Sequence, residues 1–187
     1  MEMSGEYRIS ASREVVWGAL NEPEVLKACL EGCEKFDKIS DSGFEAIVTT
    51  KVGPIKTTFD CTLQLSDIDP PKAYTLSGEG DGGASGFAKG SVSVLLSESE
   101  GITVLNYDVD ASLRGKIGQM GSRVIDSVAK MMADDFFDNL TRIVHERSGV
   151  STEFPPPRKR LQSFIRRGIV IAVIVAIVIV GIVVLLT

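Results

Sequence analysis

Through the middle of the chain, apolar and polar residues alternate with a period of two. Phe44, Ala46, Val48 and Thr50 fall on one side of an extended segment, with Glu45, Thr49 and Lys51 on the other. After Gly53–Pro54, the run Ile55, Thr57, Phe59, Cys61, Leu63 and Leu65 alternates with Lys56, Thr58, Asp60, Thr62 and Gln64. Tyr74 and Leu76 mark a short strand face beyond the turn "DPPK". Val92, Val94 and Leu96 mark the next. Beyond "ESEG", Leu105, Tyr107, Val109, Ala111 and Leu113 mark the last. The pattern predicts an antiparallel meander of about six strands, apolar on one face and wet on the other.

Two short helices are predicted before the meander and a long one after it. The strand "SGEYRISA" (4–11) leads into "SREVVWGALN", where Ser12 is placed as N-cap and Val15, Val16, Ala19 and Leu20 form a stripe. Pro23 opens a second helix, "PEVLKACL". From about Lys116 to His145 the period turns helical. Ile117, Gly121, Val124, Val128, Met131, Met132, Phe136, Leu140 and Ile143 make its apolar stripe. The expected class is α+β, a strongly curved antiparallel sheet wrapped around the C-terminal helix. Such a sheet leaves an elongated interior that the helix fills alone or shares with a ligand.

The C-terminal end departs from this pattern. Gly168–Leu186 carries no charged or polar side chain. As a helix it would span about 28 Å at ~1.5 Å per residue, close to the hydrocarbon thickness of a bilayer. Arg158, Lys159, Arg160, Arg166 and Arg167 precede it as a basic collar. The positive-inside rule then keeps the N-terminal domain cytoplasmic, and the cations suit anionic headgroups. The expected organisation is a domain over 1–147, a proline-containing linker and collar over 148–167, and a single-pass membrane anchor over 168–187. Met1–Ser12 has no apolar core of the kind a secretory leader needs.

The net charge of −5 is carried by the body of the chain, since the collar is basic. An acidic domain lacks the basic face that nucleic acid requires. Cys29, Cys33 and Cys61 are an odd number in a reducing compartment, and no cluster around them completes a metal site. "GEGDGG" (78–83) fits the pattern G-x-G-x-x-G. A dinucleotide loop needs a helix N-terminus after it, but the next segment alternates as a strand. The glycines therefore read as a loose hairpin, or as close backbone approach that leaves room for a ligand.

Four ordered blocks carry a family resemblance: "GEYRISASREVVWGALNEPEVLKACLEGCE", "KVGPIK", "YTLSGEGDGGASGFAKGSVSV" and "GSRVIDSVAKMMADDFF". With them the chain resembles the CoxG family of carbon monoxide dehydrogenase, within the Bet v1-like or START-like (SRPBCC) superfamily, over about Met1–Leu140. Glu31 stands where the family usually has proline in C-x-P-G-C. The resemblance implies a helix-grip fold with an apolar cavity between sheet and C-terminal helix. It implies a partner, a molybdenum hydroxylase of the carbon monoxide dehydrogenase type. It also implies a membrane role in which the cavity holds a quinone of menaquinone or ubiquinone type, or another lipid, with no covalently bound cofactor.

The residues expected to line that cavity are Leu26, Leu30, Phe59, Tyr74, Phe87, Tyr107, Val128, Met131, Met132 and Phe136. The two methionines suit a flexible, unbranched ligand. Tyr74 and Tyr107 offer hydroxyls to a carbonyl, and Asp135 is placed to meet a polar head. Catalysis would need titratable groups that converge in the pocket. The sole histidine, His145, lies near a helix end, and no nucleophile–base order or metal spacing is present. A binding protein is therefore expected. A polyketide cyclase or aromatase and a ligand-free recruitment scaffold are the alternatives.

Overall fold

The computed structural model describes residues 2–52 and 55–148. The Gly53–Pro54 turn, the collar residues Arg158, Lys159, Arg160, Arg166 and Arg167, and the apolar segment 168–187 lie outside them. Among the described residues no helix is long and apolar enough to cross a membrane.

The elements are β1 (Glu2–Ile9), α1 (Arg13–Leu20), α2 (Pro23–Cys29), β2 (Cys33–Lys38), β3 (Gly43–Val52), β4 (Ile55–Asp69), β5 (Ala73–Asp81), β6 (Phe87–Ser99), β7 (Ile102–Arg114), α3 (Gly115–Gly118) and α4 (Ser122–Ser148). One seven-stranded sheet runs β1-β7-β6-β5-β4-β3-β2, with every pair antiparallel. The first strand thus returns to pair with the last. Sheet and α4 enclose the core, and α1 and α2 close one end.

The alternation sets the inward face through rows of register partners. Leu65, Leu76, Val92, Val109 and Met3 form one row across five strands. Tyr74, Val94 and Tyr107 form the next, which ends at Gly5 on the edge strand.

Two local expectations need correction. Ser12 sits at the N-cap of α1 with extended backbone, but its side chain makes no cap hydrogen bond. The Glu98 carboxylate from β6 accepts instead from the Arg13 backbone N–H, at 2.7 Å. The C-terminal helix is also not continuous from Lys116. Gly121 adopts φ +76°, a left-handed conformation that separates α3 from α4. Within α4 the inward stripe is narrower than expected. Val124 and Met131, expected on the inner stripe, are 45% and 42% exposed, while Ile125, Ala129, Met132, Ala133, Leu140 and Val144 face the core.

The glycine stretch serves backbone contact. A Cβ at Gly86 would come within 2.2 Å of the Arg114 carbonyl oxygen, and one at Gly115 within 2.6 Å of the Gly86 Cα. Only a short 3-10 turn, Gly83–Ser85, precedes β6. The β5–β6 turn and the β7–α3 junction meet here backbone to backbone, and the segment that follows the glycines is a strand, not the helix a dinucleotide loop leads into.

Candidate functional site

Between the sheet and α4 lies a cavity of about 110 Å³. Its existence follows from side-chain size. Along the inner stripe of α4, Ala133 faces the sheet where a larger residue would fill the gap, and Phe136 and Phe137 stand beside it. Opposite are Leu65, Leu76, Val92, Val94, Val109, Tyr74 and Tyr107 from the inward rows, with Leu63, Leu105 and Met3. Leu20, Leu26 and Leu30 from the α1–α2 end, and Phe36 and Phe44 from β2 and β3, complete the wall. Apart from two tyrosine hydroxyls, the side chains in this wall are hydrocarbon or thioether. The cavity can take apolar matter by exclusion from water, and it offers little to a charged group.

Of the expected lining, the structure brings together Leu26, Leu30, Tyr74, Tyr107 and Phe136. The other residues are corrected as cavity lining. Phe59 is buried beneath the glycine turn, where a Cβ at Gly82 would meet its ring at 2.7 Å. Phe87 takes the opposite parity in β6 from Ala88, Val92 and Val94, so it shares the outer face with Ser91. Val128 and Met132 are buried in the solid part of the core, and Met131, about 100° round the helix from Met132, faces outward. Asp135 is half-buried at the margin of α4. Burial first, then Glu31, Asp138 and Asp134 nearby, raise its carboxyl above the ordinary aspartate range.

Most of the remaining wall was visible in the sequence as the inward parity of each strand. Met3 and Phe137 were not singled out, and the parity of β1 was the signal for Met3. Tyr7 also went unmarked. Its hydroxyl donates to Asp134 Oδ1 on α4. Its ring stacks on Phe137 at 4.1 Å, which in turn lies 5.6 Å from Tyr107. Burial and the Asp134 carboxylate push the Tyr7 phenol above its usual value. Burial does the same for Tyr74, and burial with Asp134 for Tyr107. All three are neutral hydroxyls at physiological pH, able to donate a hydrogen bond but not to act as phenolates. Trp17 from α1 packs edge-on to Tyr74 at 5.5 Å, behind the wall.

Cys29, Cys33 and Cys61 carry free thiols. Burial pushes them up, Cys29 to about 12 and Cys33 to about 11, so none is a ready nucleophile. Among the described residues no group of three His, Cys, Asp or Glu side chains is placed to hold a metal ion.

A match to the carbon monoxide dehydrogenase CoxG family covers residues 5–145, the strands, α1–α3 and nearly all of α4. The chain belongs to that family. A conserved protein of Geobacillus kaustophilus is similar at 27% identity and a TM-score of 0.74, over 78% of this chain and 96% of that one. A START superfamily protein of Mycobacterium smegmatis shares the fold, with a TM-score of 0.62 at 11% identity over 78% of this chain and 98% of that one. None of the curated proteins matches. The fold is therefore helix-grip, of the Bet v1 and START type, in a CoxG-family chain.

Proposed function

We propose that this chain is a binding protein without catalytic chemistry of its own. Its cavity takes the apolar part of a hydrophobic ligand, a quinone or another lipid. Its C-terminal segment 168–187 anchors it in the cell membrane with the domain on the cytoplasmic side. There it brings a molybdenum hydroxylase of the carbon monoxide dehydrogenase type to the quinone pool. The family assignment supports the partner class. The ligand reading rests on one observation, a space between sheet and α4 that is walled by hydrocarbon and where Ala133 leaves a gap.

The size of that space constrains the mode of binding. It is smaller than the roughly 150 Å³ cavity known to hold benzene. A ring bearing a long tail fits only if the wall moves. The same size favours a second reading, in which the domain recruits its partner without any ligand.

One experiment separates the two. The full chain is purified from a respiring host, extracted with organic solvent and examined by mass spectrometry, beside the variant Ala133→Leu. A stoichiometric prenylquinone or lipid in the wild type, lost in the variant, is the expected result. Wild-type protein that is empty and refuses added quinone overturns the ligand reading in favour of the scaffold. For the anchor, removal of residues 168–187 should release the partner hydroxylase from membranes into the soluble fraction. A partner that remains membrane-bound defeats both readings.

A further inference from the structure

A second recess, about 360 Å³, opens on the outside between β1 and α4. It shares Met3 and Tyr107 with the apolar cavity, so those two side chains stand between the interior and solvent. The register explains why the boundary falls here. In the row Tyr74–Val94–Tyr107, each strand contributes a large side chain until the edge strand, where the partner of Tyr107 is Gly5. The Tyr107 ring occupies the space a side chain would take, and a Cβ at Gly5 would lie 2.4 Å from its hydroxyl oxygen. Met3 and Tyr107 are therefore the side chains that must shift for recess and cavity to join.

We propose that this recess is the mouth of the cavity and the seat of the ligand's polar head, and that its charge selects uncharged or cationic amphiphiles over carboxylates. The inference rests on the ligand-binding reading above and adds to it where the ligand enters and which heads are admitted. The charged groups around the recess are Glu2, Glu6, Asp126 and Asp134, against Lys130 alone. Four carboxylates to one ammonium leave the recess net acidic, which disfavours an anionic head. The Tyr7 hydroxyl, already bonded to Asp134, and the Tyr107 hydroxyl mark the depth at which a neutral head would stop. At the separations of a rim, unscreened repulsion of this kind amounts to about tenfold or more in affinity at low ionic strength, and it shrinks as salt is added.

Trp17, the only tryptophan, packs against the cavity-lining Tyr74 and serves as the reporter. The full chain in phospholipid nanodiscs is titrated with a terminally brominated straight-chain alcohol and with the carboxylate of the same chain length. Bromine quenches the indole on close approach. Concentrations are corrected for partition into the bilayer. The alcohol should quench at a concentration about tenfold lower than the carboxylate, and the gap should narrow in high salt. In the double variant Glu6→Gln, Asp126→Asn, both at exposed positions, the gap should fall to about twofold. Equal quenching by both probes in the wild type overturns the inference while leaving cavity binding intact. So does a gap that the double variant leaves unchanged. Quenching by neither probe defeats the binding reading itself, and this inference with it.

Discussion

The two halves of α4 carry the same kind of apolar stripe and meet the rest of the molecule differently. In the C-terminal half, Leu140 and Val144 are fully buried. The Asn139 amide donates to the Cys29 carbonyl at 3.3 Å, and Arg147 forms a two-pronged pair with Glu22 at the start of α2. In the N-terminal half, the inward positions include Ala129 and Ala133, Val124 and Met131 look outward, and the cross-tie to the sheet is Tyr7 to Asp134. One end is bolted to the α1–α2 corner. The other has the recess beside it, at Asp126, Lys130 and Asp134, and the cavity starts at Ala133 and runs under Phe136 and Phe137. The difference comes from side-chain volume, since both ends have the same helical period. Ile125, Val128 and Met132 still pack as core in the N-terminal half, and the space opens where Ala133 presents a single methyl.

The comparison breaks hardest at Leu140. Leu140→Ala removes a fully buried side chain from the bolted end and should cost about 2–5 kcal/mol in urea unfolding of the full chain in detergent. A loss below about 1 kcal/mol would mean that this end is no better packed than the hollow one. A smaller effect is expected at Tyr7. Tyr7→Phe keeps the ring stack and removes the bond to Asp134, costing about 1 kcal/mol. Its sharper signature is local. Amide hydrogen exchange should accelerate between Ser122 and Asp134 and stay unchanged beyond Asn139. Uniform acceleration along α4 would show that the halves are one unit.

Two titrations sharpen the contrast with opposite signs. The Arg147 guanidinium beside Glu22 holds that carboxyl below its ordinary range. The pair therefore stabilises above the unfolded glutamate value and fades as acid protonates Glu22. Arg147→Ala should lower the melting temperature by about 1–2 °C at pH 7, with the difference closing below about pH 4; both groups are exposed, so the effect is small. Asp135 runs the other way. Its raised value means the folded state holds the proton more firmly, so stability falls as pH rises through the unfolded aspartate value and the loss is complete above the raised folded value. Asp135→Asn should raise the melting temperature by about 1 °C at pH 7 and change nothing below about pH 3.

Much of the fold was legible because the signals were local. Alternation placed β3 through β7 and their inward faces, Pro23 marked the start of α2, and the helical period marked α4. Misreadings arose at the margins of each face. The expected stripe of α4 was too broad, so it took in Met131 at its outer edge and passed over Ala133 beside Met132. The parity of β6 beyond the 3-10 turn placed Phe87 on the outer face. The cap of α1 came from Glu98, a residue 85 positions away that no local window contains. For the site, five of the expected lining residues share the cavity wall, because strand parity and helix stripe point them inward. Tyr7 and Gly5 escaped notice, since their roles exist only once β1 lies beside β7.

The sequence by itself determined the broad order of elements, the inward faces of β3 through β7 and the family. Those depend on periodicity and on motifs read within a few residues. Tertiary structure alone decided where the hollow lies, that Tyr107 leans over Gly5 at its edge, and that four carboxylates gather outside it. A cavity is the volume that side chains from many separated segments leave unfilled. That remainder is settled by register and helix phase together, which no single stretch of the chain contains.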